Sequence, residues 1–497
     1  MSSNGQGGLI RDPNRFYIGG EWVEPSSASR IEVINSGNEE PFLTVAEAQE
    51  TDINRAVEAA RRAFDIGPWP RMEPIERARY IRALATELGA RSEDLGRLWT
   101  METGALFRDT SAYCAAIGGV YDYYAQLADS FRFIEEHQPT SGGEVGLLVR
   151  EPVGVVTAIV PWNGASFLIA YKCAPALIAG CTLIIKSSPE APGAGYILAE
   201  ACEKVGIPPG VVNILTADRE VSELLVRHPC VDKITFTGST AAGKRIASIC
   251  GERIARYTLE LGGKSAAIIL DDYDVGEAAR TIAGLATFNT GQVCSSLTRI
   301  IVTQKRQAPL LEALGGCFNE VVVGDPFDPA SGMGPLAMSR QRDRVEEYIA
   351  KGKAEGATLV AGGGRPAGLN RGYYIEPTVF GDVGCHSTIA REEIFGPVLS
   401  VIPAADEAAA VDIANDTIFG LNASVFTNDV DRAYATARCL RSGTVGHNSW
   451  RTDFGIAFGG FKQSGIGREG GVEGLLPFLE SKTVILDGRP FFLRPMT

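Results

Sequence analysis

No stretch of the 497-residue chain approaches the roughly eighteen consecutive apolar residues of a membrane-spanning helix, so no membrane association is expected. The opening residues MSSNGQGGLIRDPN lack the basic start and apolar stretch of a secretory leader, which points to a cytoplasmic protein. Histidine is scarce, at four residues, and the ten cysteines are scattered without a CxxC pair. That spacing fits neither a zinc site nor a disulfide framework, so no metal is expected. Lysine and arginine form no block or stripe, and the net charge is −13, which argues against nucleic acid as a partner. Internal repeats and low-complexity segments are also missing. With 45% hydrophobic and 22% charged residues the composition is that of an ordinary globular chain, and its length calls for two or more domains.

What the chain does have is alternation. Apolar, β-branched runs at 153–160, 181–186, 211–215, 232–236 and 257–261 are separated by helix-length stretches at about 166–179, 192–205, 218–228 and 241–250. Five strands with four crossovers predict a doubly wound parallel sheet, which binds ligands at the carboxyl ends of its strands. A second alternation follows Gly263, with strands expected at 265–270, 299–302, 397–402, 423–426 and 443–446. The fold class is therefore α/β with two α/β units. Amphipathic patterns at about 52–65 and 73–90 predict helices that cover a face of the first sheet. A hairpin at 137–154 and a strand at 480–488 belong to neither unit, and exposed edges of this kind invite pairing with another subunit.

Two cysteine and carboxylate strings fall at these strand ends. Cys294 lies in FNTGQVCSS, 34 positions downstream of Glu260 in LELGGK, and both are framed by glycines. A small, glycine-framed cysteine with an acid upstream is a candidate nucleophile and base. Two glycine motifs compete for attention. GSTAAGKR (238–245) follows a strand and opens a helix like a phosphate loop, but Arg245 replaces the Ser or Thr that would hold magnesium. Its helix N-terminus is still suited to an anion such as a pyrophosphate. GIGREG (465–470) matches a dinucleotide fingerprint only in spelling, because no strand precedes it, and it reads as a glycine-rich turn.

Taken in order, PWN (161–163), Lys186 closing the next strand, FTGST (236–240), LELGGK (259–264), FNTGQVC (288–294), EEIFGP (392–397) and FGGFKQSGIGREGG (458–471) resemble the aldehyde dehydrogenase superfamily. The resemblance spans roughly residues 15–490 and implies that superfamily's fold. It would make 1–130 with 153–262 the dinucleotide-binding domain and 263–463 the catalytic domain. Segments 131–152 and 478–497 would be the oligomerisation elements of a homodimer or tetramer. The implied catalytic residues are Cys294 as nucleophile, Asn163 as a side-chain donor to the oxyanion, Glu260 as base for thioester hydrolysis, and Lys172 as a proton relay. Relatives that pass the acyl group to coenzyme A generally lack this glutamate, so its presence implies a free acid product.

The implied cofactor is NAD, with Trp162, Lys186, Glu190, Gly238, Ser239, Gly262, Glu393 and Phe395 around it. Many NAD-preferring members carry a glutamate three positions after the strand-end lysine. KSSPE instead places Pro189 there and the acid at Glu190, so NADP is the alternative. The family often has an aromatic residue after the asparagine of PWN, whereas this chain has Gly164 and Ala165, which widens the expected pocket. Tyr171, Trp450, Phe454 and Phe458 are implied as an aromatic lining. A bulky apolar aldehyde, aromatic or terpenoid-like, is the expected substrate. A semialdehyde oxidised with NADP and a non-catalytic relative are the alternatives. A pseudoenzyme would be expected to have lost Cys294, Glu260 or Asn163, and a cysteine hydrolase would need a histidine near the thiol that the sequence does not offer.

Overall fold

The first alternation builds, in the computed structural model, five parallel strands in the spatial order Arg256–Glu260, Lys233–Thr237, Val155–Ile159, Thr182–Ser187, Val212–Thr216. Residues 8–491 are described; residues 1–7 and 492–497, the outer ends of the expected segments 1–130 and 478–497, lie outside them. The four inner strands are buried along their whole length, which is why they read as continuous apolar runs and not as alternating ones. Successive side chains still part to opposite faces. Val156, Ala158, Leu183, Ile185, Val212 and Ile214 pack with helices Ala165–Ala179 and Gly193–Val205. Val155, Ile159, Ile184, Ile234 and Phe236 pack with helices Glu50–Asp65, Arg219–Arg227 and Thr240–Arg253.

The sheet is wider than expected. Antiparallel strands Phe16–Ile18 and Glu21–Val23 extend one edge, and Gly465–Ile466, from the GIGREG string, extends the other beside Arg256–Glu260. Helix Pro74–Ala90 also departs from expectation. It does not cover the sheet, because its apolar residues Ile81, Leu84 and Leu88 pack against helices Ile117–Ser130 and Ala165–Ala179, one layer further out.

The second sheet has seven strands, in the order Thr358–Ala361, Thr378–Gly381, Val398–Ala404, Leu297–Thr303, Ser265–Ile269, Asn422–Phe426, Thr444–His447, all parallel except the first. Thr358–Ala361 and Thr378–Gly381 were not legible as strands. The former is a half-exposed edge and the latter spans four residues between Pro377 and a glycine-ended turn. Four residues separate Glu260, which closes a strand of the first sheet, from Ser265, which opens a strand of the second. The carboxyl ends of one sheet therefore face the amino ends of the other. The hairpin Ile134–His137 and Val145–Pro152 pairs with Leu479–Leu486 of the same chain over an eight-residue antiparallel register. Among the described residues no helix is long and apolar enough to cross a membrane.

The entry into the first parallel strand depends on Gly154, at φ +129°. A Cβ there would lie 1.9 Å from Asp232 Oδ2, which accepts from the Val155 N–H at 2.7 Å and from Arg61 at 2.7 Å. Gly154→Ala should displace that carboxylate and cost roughly 1–3 kcal/mol. Differential scanning fluorimetry should show a lower melting midpoint; an unchanged midpoint would contradict this role for the carboxylate.

Candidate functional site

The junction of the two sheets holds an unusual set of buried charges. Register pairing sets Thr237 beside Glu260 at the carboxyl ends of neighbouring strands, and the Gly238 N–H donates to the Glu260 carbonyl at 3.0 Å. Lys172, on the buried helix Ala165–Ala179, is fully buried; its Nζ donates to Thr237 Oγ1 at 2.6 Å and forms an ion pair with Glu469. Glu260 is buried, and among the described residues neither of its carboxylate oxygens has a hydrogen-bond partner. Burial, then repulsion from Glu469, holds its carboxyl well above the usual range, against the pull of Lys172 and Arg468. Gly459, at φ +150°, lets the backbone approach, since a Cβ there would lie 2.6 Å from Glu260 Oε1.

Cys294 follows a backbone segment that few sequences tolerate. Asn289, Thr290 and Gly291 are left-handed in succession, at φ 48°, 54° and 70°. The strain is held by Thr290 Oγ1, placed to donate to the carbonyls of Gly334 and Pro335, and by Gln292, whose amide bonds Thr103, Asn289 and Ala337. A Cβ on Gly291 would lie 2.4 Å from the Gly396 carbonyl carbon, so this turn and EEIFGP require each other. Asn163 joins the same knot. Its Nδ2 donates to the Gln292 carbonyl at 3.0 Å, and its own carbonyl accepts from Asn289 Nδ2 at 2.9 Å and Trp99 Nε1 at 3.1 Å. One amide hydrogen of Asn163 is thereby committed and the other is left for a substrate oxygen. The Cys294 thiol is pushed up to about 12 by burial, then by Glu393 and Glu260, so it rests protonated.

A cleft of about 560 Å³ opens at the carboxyl ends of the first sheet, where the strand order reverses between Val155–Ile159 and Lys233–Thr237. Trp162, Lys186, Glu190, Gly238 and Ser239 line it. Ser239 caps helix Thr240–Arg253 by accepting from the Ala242 N–H at 3.3 Å, and Gly238 lies against the Phe236 ring, which a Cβ would meet at 2.4 Å. Burial lowers the Lys186 ammonium to about 8, and among the described residues it makes no hydrogen bond. Glu190 accepts from Ser188 and from Arg340 of the second unit; these offset its burial and keep its carboxyl below the usual range. Glu393 accepts from the Gly263 N–H at 3.1 Å, and burial raises it to about 7. It presses on Gly262, where a Cβ would lie 2.2 Å from Glu393 Oε2. Phe395, at φ 63°, sets its ring edge-on to Trp162 at 5.5 Å. An anion-accepting helix end, a free buried ammonium and two opposed rings fit a dinucleotide.

The four sequence-named rings form part of a longer aromatic wall. Tyr171 stacks on Phe454 at 3.8 Å and Phe454 on Phe458 at 4.6 Å. Trp450 lies 6.4 Å from Phe288 and donates from Nε1 to Ser295 Oγ at 3.1 Å. Trp99, Tyr113, Phe167 and Phe288 complete the wall. None of these four was named from sequence, and neither was Glu469. Glu469 sits inside the GIGREG string, where a lone carboxylate among glycines was the available signal. Trp99 gave none, because only tertiary packing brings helix Ser92–Thr103 against Gly164.

A second cleft of about 570 Å³ lies at the carboxyl ends of the other sheet. Its charged residues Asp271, Lys305, Glu407 and Arg432 are engaged in ion pairs, Asp406 caps helix Glu407–Asn415, and among the described residues no cysteine lines it. The thiol and the unpartnered carboxylate single out the junction.

A family model described as the aldehyde dehydrogenase family matches residues 22–484. Geranial dehydrogenase of Castellaniella defragrans is 41% identical over 478 residues, 96% of this chain and 99% of that protein. 3-Succinoylsemialdehyde-pyridine dehydrogenase of a Pseudomonas species is 40% identical over 480 residues, 96% of this chain and 99% of that protein. A solved aldehyde dehydrogenase of Mycobacterium tuberculosis, complexed with NAD+, matches with a TM-score of 0.93 at 43% identity, covering 95% of this chain and 98% of that one. Matches that run through both sheets and the junction between them leave one conclusion: the chain belongs to the aldehyde dehydrogenase family, oxidoreductases that act on the aldehyde group.

Proposed function

We propose that this chain oxidises a bulky apolar aldehyde, aromatic or terpenoid-like, to the free carboxylic acid with NAD. The observation that carries the free-acid reading is Glu260, a buried carboxyl with no hydrogen-bond partner at either oxygen among the described residues. A group so placed, at the end of a strand that leads to the nucleophile's unit, is suited to accept a proton from water. The continuous aromatic wall supports the apolar substrate, as does similarity to a geranial dehydrogenase. The cofactor reading is supported by the NAD+ complex of the structural relative and by the fit of Lys186, Ser239, Glu393, Trp162 and Phe395 to a dinucleotide.

The residues divide the work by step. The Cys294 sulfur adds to the carbonyl carbon and its proton passes to solvent water as the bond forms, because burial and two nearby carboxylates disfavour a standing thiolate. The free hydrogen of Asn163 Nδ2 and the Cys294 N–H hold the alkoxide, each donor being worth about 3–4 kcal/mol of transition-state stabilisation. Bound NAD supplies the acceptor for the departing hydride. Glu260 then takes a proton from water, the hydroxide opens the thioester on Cys294, and the acid leaves. Lys172 and Glu469 stand behind Glu260 as its route for exchanging that proton.

The first unit binds the dinucleotide, the second carries the nucleophile, and the three-stranded sheet, whose Leu479–Leu486 edge is open and carries the half-exposed Ile485, joins copies into a cytoplasmic homodimer or tetramer. The semialdehyde alternative with NADP rests on Pro189 standing where the discriminating acid is expected and on Arg340 engaging Glu190.

Glu260→Gln should leave the first half-reaction intact: a burst of NADH equal to the enzyme present, then turnover slower by about 10²–10⁴-fold. Cys294→Ala should abolish both phases, and a normal steady-state rate in Glu260→Gln would defeat the assignment. A panel of aldehydes with NAD and NADP should give kcat/KM at least about tenfold higher for aromatic or terpenoid-like aldehydes than for short semialdehydes. The reverse order, with NADP preferred, would establish the alternative.

A further inference from the structure

We propose that Trp99 is both a positioning residue for the Asn163 oxyanion donor and the residue that sets the width of the pocket at that end; this rests on the aldehyde-oxidising reading above. The indole does two separate things. Its N–H donates to the Asn163 carbonyl at 3.1 Å, the same oxygen that Asn289 Nδ2 approaches at 2.9 Å from the nucleophile loop. With two donors on its carbonyl and its side-chain amide held by Gln292, the peptide of Asn163 has one orientation, and its second Nδ2 hydrogen one direction. Withdrawing either donor leaves the amide in place but lets it rotate.

The six-membered ring of Trp99 also stands over Gly164. A Cβ on residue 164 would lie 3.5 Å from Trp99 Cζ2 and 3.9 Å from Cη2. One methyl group fits at that distance, but a larger side chain would claim the volume the indole fills. The room that glycine leaves beside the asparagine is therefore taken by a ring from helix Ser92–Thr103, which narrows the widening expected from sequence. The ring is 9% exposed and is itself braced, edge-on to Tyr113 at 6.3 Å and tilted against Phe167 at 6.4 Å. Phe167 leads on to Tyr171 and Phe454, and Tyr113 to Phe288 and Trp450, so Trp99 stands where the two arms of the aromatic wall meet.

The two roles separate by mutation. Trp99→Phe keeps apolar bulk and removes the N–H; kcat should fall about 3- to 10-fold for every aldehyde with KM changed less than about twofold. Trp99→Ala should in addition flatten the ratio of kcat/KM between bulky and short aldehydes. Gly164→Phe alone should lose most activity by colliding with the indole, and adding Trp99→Ala to it should restore kcat/KM at least about fivefold, the mark of two side chains competing for one volume. Wild-type kinetics in Trp99→Phe, or no recovery in the double variant, would overturn the proposal. Failure of the wild-type enzyme to reduce NAD with any aldehyde would instead overturn the aldehyde reading on which it rests.

Discussion

A buried ion pair between Lys172 and Glu469, with the Glu260 carboxyl beside it, ties together the junction on which the rest of the structure depends. Lys172, Glu469 and Glu260 reach the junction from three distant stretches of the chain. Lys172 and Glu469 pair with each other, so the Glu260 carboxyl is left without a hydrogen-bond partner among the described residues, and it is driven upward by burial and by Glu469. A stable protein would ordinarily avoid such a group. In the proposed reaction that lack of a partner is an advantage, because a carboxylate with a ready partner would be a poor acceptor of a proton from water.

That arrangement accounts for residues 458–471, which follow the last strand of the second sheet in sequence, folding back onto the first sheet. Pairing of Gly465–Ile466 with Leu259–Glu260 brings Glu469 to Lys172, while Gly459 gives the room in which the Glu260 carboxylate sits. The same economy of space recurs at Gly262 against Glu393 and Gly291 against Gly396. Gly459 and Gly262 remove a Cβ that would occupy the position of a carboxylate, and Gly291 one that would occupy the position of a neighbouring backbone.

The fold was largely legible because buried parallel strands leave long apolar runs, and four of the five in the first sheet are covered on both faces. What stayed hidden was short or marginal: the edge strand Thr358–Ala361 and the two-residue Gly465–Ile466. Cys294, Glu260 and Asn163 stood out because their neighbours are constrained by close packing, and the structure brings Asn163 against the Cys294 loop and Glu260 to the same junction. Glu469 and Trp99 did not stand out, since the value of each lies in a partner far along the chain, Lys172 in one case and the Asn163 carbonyl in the other. The expected opening beside Gly164 shows the same limit, for a missing ring can be supplied by another helix.

In the proposed reaction Glu260 works from a pKa raised first by burial and then by repulsion from Glu469. As pH rises through that pKa the base form accumulates, so thioester hydrolysis should quicken along an acid limb. Single-turnover decay of the acyl-enzyme across pH, in the wild type and in Glu469→Gln, tests this directly. Removing the Glu469 charge while Lys172 remains should move the limb to lower pH. Superimposable limbs would contradict the account.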